Sequence, residues 1–311
     1  MTPILSRRRF LAVSAVAVAL PAAAATPGAH ATWQGIALGA PASMRLEGVT
    51  QDQARAIFAE VEAELSRLED IFSLYRPDSA LARLNRDGVL TTPPAELLEV
   101  LSLSASLNQA TDGAFDPTVQ PLWQALAEAQ TNGPGLDAET LDATRARTGW
   151  AHLRFDRDAV RFMRPGMALT LNGIAQGYIT DRISTLLAAR GYADTVIDMG
   201  EVRARGVKTG GTPWTAGIAT PDGTIVRRIT LADRALATSA PLGTVLDPAG
   251  QIGHIIDPRT GGSVEGRTLI SVSARTAALA DGLSTACCLL EPELIKVVIG
   301  GFPDTILETL I

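Results

Sequence analysis

Cysteine is nearly absent from this sequence: Cys287 and Cys288 are the only two, and they are neighbours. Adjacent cysteines cannot staple distant segments, and they do not match a four-ligand zinc spacing. They are expected as two small apolar residues packed in a helix. Lysine is equally scarce. Lys208 and Lys296 are the only two among 27 cationic residues, which face 33 acidic ones for a net charge of −6. That balance, with no basic stripe, excludes a general nucleic-acid binder. Beyond the first thirty residues, no apolar run approaches the ~20 residues that span a bilayer. What is present is a chain of 311 residues, 46% hydrophobic and 19% charged, with 28 Gly and 18 Pro. Such a chain can bury a full core, which excludes wholesale disorder and collagen-like or low-complexity architectures.

The N-terminus carries an address. Ser6-Arg7-Arg8-Arg9-Phe10-Leu11 precedes an Ala/Val-rich run from Ala12 to Leu20, then Pro21, several alanines and Ala29-His30-Ala31. A cationic head, a short apolar middle and a small-x-small site form an export signal. The paired arginines resemble the twin-arginine type. Cleavage is expected after Ala31, making residues 1–31 the leader and 32–311 one mature domain. The leader takes three of the 27 cationic residues and none of the 33 acidic ones, so the mature charge is −9. The expected location is periplasmic.

Apolar periodicity predicts a long helix over Asp52–Phe72, with Ile57, Val61, Leu65, Leu68 and Phe72 on one face. A short helix begins at Ser79, and another follows Pro93-Pro94. Pro117 suits a first helical position, and Asn132-Gly133-Pro134-Gly135 is a loop. Leu153–Leu171 reads as a hairpin around Arg164-Pro165-Gly166. A helix from about Ala175 to Arg190 is closed by Gly191. Strands are expected at Thr195–Met199, Ile225–Leu231, Gln251–Ile256 and Leu269–Ser273, and helices at Thr276–Leu290 and Pro292–Ile299. The fold class is α/β of the α+β kind, a two-lobed single domain with a mainly antiparallel sheet flanked by helices.

Several segments carry polar chemistry. Leu171-Asn172-Gly173-Ile174-Ala175-Gln176-Gly177-Tyr178 ends an extended segment and opens a helix, where unpaired amides and the helix dipole suit a phosphate. It is not a Walker loop, and an ordinary strand-to-helix turn has the same composition. Asp281 and Thr285 are four apart, so both oxygens lie on one helical face. A carboxylate with a hydroxyl suits a hard cation such as Mg²⁺; a helix-start Asp is the plainer alternative. His254, close to Asp257 and Arg259, suits a proton acceptor or a structural histidine. Asp116 before Pro117 has the form of a helix cap, and Tyr75-Arg76-Pro77-Asp78-Ser79 that of a capped turn.

The order of these segments is specific. Tyr-Arg-Pro-Asp-Ser with Arg-Leu-Asn, Asp-Gly-Ala-Phe-Asp-Pro-Thr-Val, Asn-Gly-Ile-Ala-Gln-Gly-Tyr, His-Ile-Ile-Asp-Pro-Arg-Thr-Gly and Ala-Asp-Gly-Leu-Ser-Thr-Ala occur in that succession. Over nearly all of the mature chain this resembles the ApbE family of FAD:protein FMN transferases. The segment around Asn172 is similar to a branch that includes NosX, a nitrous-oxide reductase maturation protein. The resemblance implies a Mg²⁺-dependent reaction in which FAD is split, AMP leaves, and FMN is esterified to a Thr or Ser of a target protein. It implies metal ligation by Asp281, Thr285 and the Gly173 carbonyl, with Ser284 as a further ligand, and His254 as the base. Ala114, Phe115, Asp116, Thr170 and Gln176 match flavin contacts, with Tyr75 at the rim. For the NosX-like branch the implied partner is a membrane-bound flavoprotein of the NosR type, its acceptor domain facing the periplasm.

Thr170 and Gln176 stand where many members carry a carboxylate and a lysine, which removes two charges that help hold FAD. Two alternatives therefore stay open on the sequence: an FAD pyrophosphatase giving FMN and AMP, and a non-catalytic flavin carrier.

Overall fold

Alternating buried and exposed positions build the first hairpin. His30–Ala37 (β1) and Ala40–Glu47 (β2) pair antiparallel through a two-residue turn. Leu38 and Gly39 both adopt positive φ there, the geometry that matches strand twist. The computed structural model describes residues 28–132, 136–247, 249–264 and 269–311. The twin-arginine motif and the glycines and proline of the 132–135 loop lie outside the described residues. His30 and Ala31, on the leader side of the expected cleavage point, already pair with Glu47 and Leu46.

Thr50 caps Gln51–Phe72 (α1) in a capping box with Gln53. The predicted apolar face, Ile57 to Phe72, is buried. Ser79 caps Ala80–Asp87 (α2), which leads to Val89–Thr91 (β3) and Ala95–Ala110 (α3). Pro117 opens a 3₁₀ turn that continues into Gln120–Asn132 (α4). Ala138–Arg145 (α5), capped by Asp137, has no counterpart in the sequence expectations.

The next hairpin turns earlier than expected. Leu153–Phe155 (β4) and Ala159–Phe162 (β5) meet around Asp156, whose Oδ1 accepts from the amides of Asp158 and Ala159. Arg164-Pro165-Gly166 lies beyond the hairpin, and Met167–Leu171 is not a strand. Its backbone bonds go elsewhere: Asn85 clasps Leu169 through both N and O, and Thr170 N donates to Pro117 O.

Ala175–Ala189 (α6) ends at Gly191 as expected, with φ of 88° there. Thr195–Asp198 (β6), Val202–Arg205 (β7), Val207–Lys208 (β8), Thr212–Ala219 (β9), Ile225–Leu231 (β10) and Ala235–Ser239 (β11) follow. The strand expected at Gln251–Ile256 is absent, leaving only the isolated bridges Val245–Gly253 and Ile256–Ser263. Asp247 Oδ1 accepts from the amides of Gln251 and Ile252, which withdraws them from any ladder. The chain closes with Ile270–Ala274 (β12), Ala277–Cys287 (α7), Pro292–Gly300 (α8) and Ile306–Leu310 (β13).

A seven-stranded sheet in the order β1-β2-β6-β7-β11-β12-β13 is antiparallel at every step. The α+β fold class is therefore observed. Neighbouring residues of β6 point into two cores: Ile197 into the main core with α1 and α6, Val196 into a smaller one around Trp214 of β9. Cys287 and Cys288 are buried at the end of α7, as expected of small apolar residues. Among the described residues no helix is long and apolar enough to cross a membrane.

Helices α6 and α7 approach so closely that a Cβ on Gly177 would stand 2.4 Å from Ala277 O. The obstacle is backbone. Gly177→Ala is expected to destabilise the fold by about 1–3 kcal/mol, typical of forced overpacking, rather than to stabilise it as Gly→Ala does in an open helix. Urea unfolding measures it; an unchanged midpoint would mean that the helices separate freely.

Candidate active site

Two carboxylates lock α6 and α7 reciprocally. Asp181 of α6 accepts from the amides of Ala277 and Ala278, both at 2.9 Å, so it caps α7. Asp281 of α7 reaches back, and its Oδ2 accepts from Gly177 N at 3.1 Å in the first turn of α6. Residue 177 lies by 281 and 181 by 277, so the helices run in opposite senses where they meet. In a regular helix Gly177 N would bond to the carbonyl of Gly173. Here Asp281 takes that amide, and among the described residues no other N–H reaches the Gly173 carbonyl. Ile174, the N-cap residue of α6, supplies no side-chain cap, and Asp281 is the carboxylate that meets the first turn.

Gly173 sits against Thr285, and a Cβ on it would lie 3.0 Å from Thr285 Oγ1. The Asp281–Thr285 pair thus faces the Gly173 turn, as the i, i+4 spacing suggested. Ser239 at the end of β11 touches both Ser284 Oγ (2.7 Å) and Thr285 Oγ1 (3.2 Å). Ser284 is fully buried and donates to the carbonyl of Asp281 at 3.0 Å. Its hydroxyl is committed inside the helix, whereas that of Thr285 faces the turn.

The charge of this corner is one-sided. Arg203 of β7 pairs with Asp181 at 2.9 Å and also bonds to Ser184 and to the carbonyl of Arg275. Asp281 has no such cation. Burial, with a smaller push from Asp181, raises its pKa to about 7 against the Gly177 hydrogen bond. Burial also lifts Asp198, at the end of β6, to about 6. Glu201, in the β6–β7 turn, is pushed well up by burial and then by the charges of Asp281 and Asp198. Neither acid was singled out from the sequence as a site residue, because no spacing links a hairpin turn to α7. Oxygen donors of the kinds found at Asp281, Thr285 and Gly173 fit a hard divalent cation, which keeps part of its water shell.

Two of the flavin-contact candidates, Thr170 and Gln176, flank the same turn. Thr170 N bonds to Pro117 O, which joins the extended segment before Gly173 to the Ala114–Asp116 loop. Gln176 lies over the β6–β7 turn, with Nε2 2.7 Å from where a Cβ of Gly200 would stand. Ala114 and Phe115 are buried. Asp116 uses both oxygens structurally, Oδ1 on Thr118 N and Oγ1 and Oδ2 on Trp150 N. It is the cap that its position before Pro117 suggested. Tyr75 is 57% exposed.

His254 lies in the loop that leaves β11 just after Ser239. Its Nδ1 is 3.1 Å from Thr244 O, and its backbone N donates to the same carbonyl. The tautomer that donates Nδ1–H to Thr244 leaves Nε2 as a proton acceptor. Burial lowers the pKa of the ring, opposed by the carbonyls of Thr244 and Pro241, which favours the neutral form at pH 7. The nearby Asp257 is bound bidentately by Arg259 and no hydrogen bond joins it to the imidazole.

The chain is similar to known proteins over most of its length. The model of the ApbE family matches residues 38–304. A FAD:protein FMN transferase of Vibrio cholerae is 31% identical over 77% of this chain and 75% of its own length. One from Klebsiella pneumoniae is 28% identical over 81% and 76%. The crystal structure of Pseudomonas stutzeri flavinyl transferase ApbE in its apo form superposes with a TM-score of 0.77 at 28% identity, covering 88% of this chain and 89% of that one.

The buried acids set a pH dependence. With the pKa of Asp281 raised from 3.8 to about 7 and that of Asp198 from 3.8 to about 6, the folded state holds protons that the unfolded chain has released. Their contribution is therefore fully present below about pH 4 and is lost as pH rises through 6 and 7. EDTA-treated protein is expected to melt lower at pH 8 than at pH 5, with a smaller difference in Asp281→Asn. Identical pH profiles for the two proteins would remove Asp281 from this account.

Proposed function

The chain belongs to the ApbE family, and from that premise we propose that it is an FAD:protein FMN transferase. An acceptor hydroxyl oxygen bonds to the FMN phosphorus of FAD, the anhydride bond breaks, AMP leaves, and the hydroxyl proton passes to His254. The observation that carries this reading is the packing of the Gly173 turn against Thr285, with the Asp281 carboxylate one helical turn away and bonded to the first turn of α6.

The positive dipole end of α6 suits the pyrophosphate, with the Gln176 amide as the first-turn donor that neither Leu171 nor Asp281 takes. Asp281, Thr285 and the Gly173 carbonyl would hold Mg²⁺, which when bound neutralises charge developing on the leaving phosphate. Ser284 supports Asp281 from within the helix. His254, oriented by the Thr244 carbonyl and favoured in its neutral form by burial, takes the proton of a Thr or Ser hydroxyl that otherwise attacks poorly at neutral pH. Thr170, Gln176 and the Ala114–Asp116 loop wall the flavin side, with Tyr75 at the rim. Uncharged Thr170 and Gln176 leave FAD recognition to hydrogen bonds and packing.

The Ser6–Leu11 motif assigns the chain to twin-arginine export and the periplasm. In this reading the leader ends before Ala29, because Ala29 O already accepts from Gly48 N and His30 and Ala31 belong to β1. The acceptor is a Thr or Ser on a periplasm-facing domain of a membrane-bound electron-transfer flavoprotein of the NosR type.

Incubation with FAD, Mg²⁺ and a candidate acceptor is expected to give a covalent FMN adduct by mass spectrometry. Asp281→Asn is expected to abolish the adduct. His254→Ala is expected to slow transfer by about 10²–10⁴-fold, the usual worth of a general base, while FAD still quenches normally on binding. A His254→Ala protein that transfers at the parental rate would overturn the role of that residue. Rapid AMP release without acceptor would identify a hydrolase instead. Replacing Arg7 and Arg8 together by Lys is expected to hold the precursor in the cytoplasmic fraction, which immunoblotting of cell fractions reads directly.

A further inference from the structure

Glu201 is 7% exposed, and its Oε2 is buried with no hydrogen-bond partner. A carboxylate oxygen is acceptor-only, so what this atom lacks is a donor. The side chain forms no salt bridge among the described residues, and Arg203, two positions on, is committed to Asp181, Ser184 and Arg275. The nearest charges are of the same sign. Asp198 Oδ1 accepts Gly200 N at 3.2 Å in the same turn, and Asp281 acts on Glu201 from α7. Ordered water alone would supply donors without balancing the charge of these acids once they are ionised; a hydrated cation supplies both donors and charge. Among the described residues, however, no three acidic, His or Cys side chains are grouped closely enough to hold one ion directly.

We propose that Glu201 belongs to the cation site anchored by Asp281, and that it contributes its negative charge through the hydration shell of the cation rather than by direct contact. The proposal rests on the cation reading given above and adds a residue to it. It also explains why an acid occupies the floor of the β6–β7 turn with one oxygen unpartnered, at the side of the sheet where Gln176 crosses Gly200.

The test uses Mg²⁺ alone, without FAD, followed by calorimetric titration and by thermal shift at pH 8. Glu201→Gln keeps the shape and removes the charge, and it is expected to bind Mg²⁺ about tenfold more weakly than the parent. Glu201→Asp keeps the charge and is expected to stay within about threefold, since action through water tolerates a shorter arm. If Glu201→Gln binds as the parent does while Asp281→Asn loses binding, Glu201 has no part in the site and the cation reading stands. If all variants bind alike, the cation reading itself falls. Should Glu201→Gln fail to fold, Glu201→Asp decides: retained affinity supports the proposal, and a loss of about tenfold or more overturns it.

Discussion

The bond from Gly177 N to Asp281 Oδ2 is the interaction on which the rest of this structure turns. It does two things at once. It fixes the register of α7 against α6, and it diverts the amide that would otherwise occupy the carbonyl of Gly173. A main-chain oxygen is thereby left at the mouth of a helix, beside the Thr285 hydroxyl. The reverse bond, Asp181 to the first amides of α7, keeps the arrangement from sliding. Side chains longer than hydrogen at position 177 would push the backbones apart and break both contacts together. Each carboxylate sits at the positive end of its neighbour's dipole, where a negative charge is favoured.

The two members of that reciprocal pair differ in what balances them. Asp181 has Arg203, held from three sides; Asp281 has none and shares its surroundings with Asp198 and Glu201. A chain with 27 cationic residues could have put one there. Arg203 follows Glu201 by two positions, yet its guanidinium serves Asp181 and the Arg275 carbonyl at the start of α7. The corner is therefore built as two halves, one neutralised by an arginine and one in which burial favours proton uptake by the acids.

Much of this was legible in the sequence where one element contains the whole signal. The four-residue step from Asp281 to Thr285 lies within one helix, and the Gly173 turn lies at one helix start, so each could be seen without knowing the fold. The face of α1 was visible for the same reason. What depended on contacts between elements was hidden. Glu201 and Asp198 matter through α7, some eighty residues away along the chain. The Gln251–Ile256 segment has the composition of a strand, but Asp247 takes the amides a ladder would need. The hairpin at Asp156 was masked by the more conspicuous Pro165-Gly166 pair further on. His254 was found, but with the wrong companion: Asp257 is engaged by Arg259, and a carbonyl orients the ring instead.

That last substitution of partner has a chemical consequence. A carboxylate behind an imidazole stabilises the protonated ring and raises its pKa, whereas a carbonyl fixes the tautomer with far less of that stabilisation. Burial then dominates and lowers the pKa of His254. The direction of that shift favours the neutral ring at pH 7 and makes the imidazole a weaker base, one that on its own could not draw a proton from a hydroxyl in the ground state. Proton transfer must follow bond formation to phosphorus closely, because the hydroxyl becomes acidic only as it attacks. The acid and hydroxyl donors of the α6–α7 corner are held by helix-to-helix bonds, while the histidine stands in a loop tied mainly through carbonyls and the clasp of Asp247.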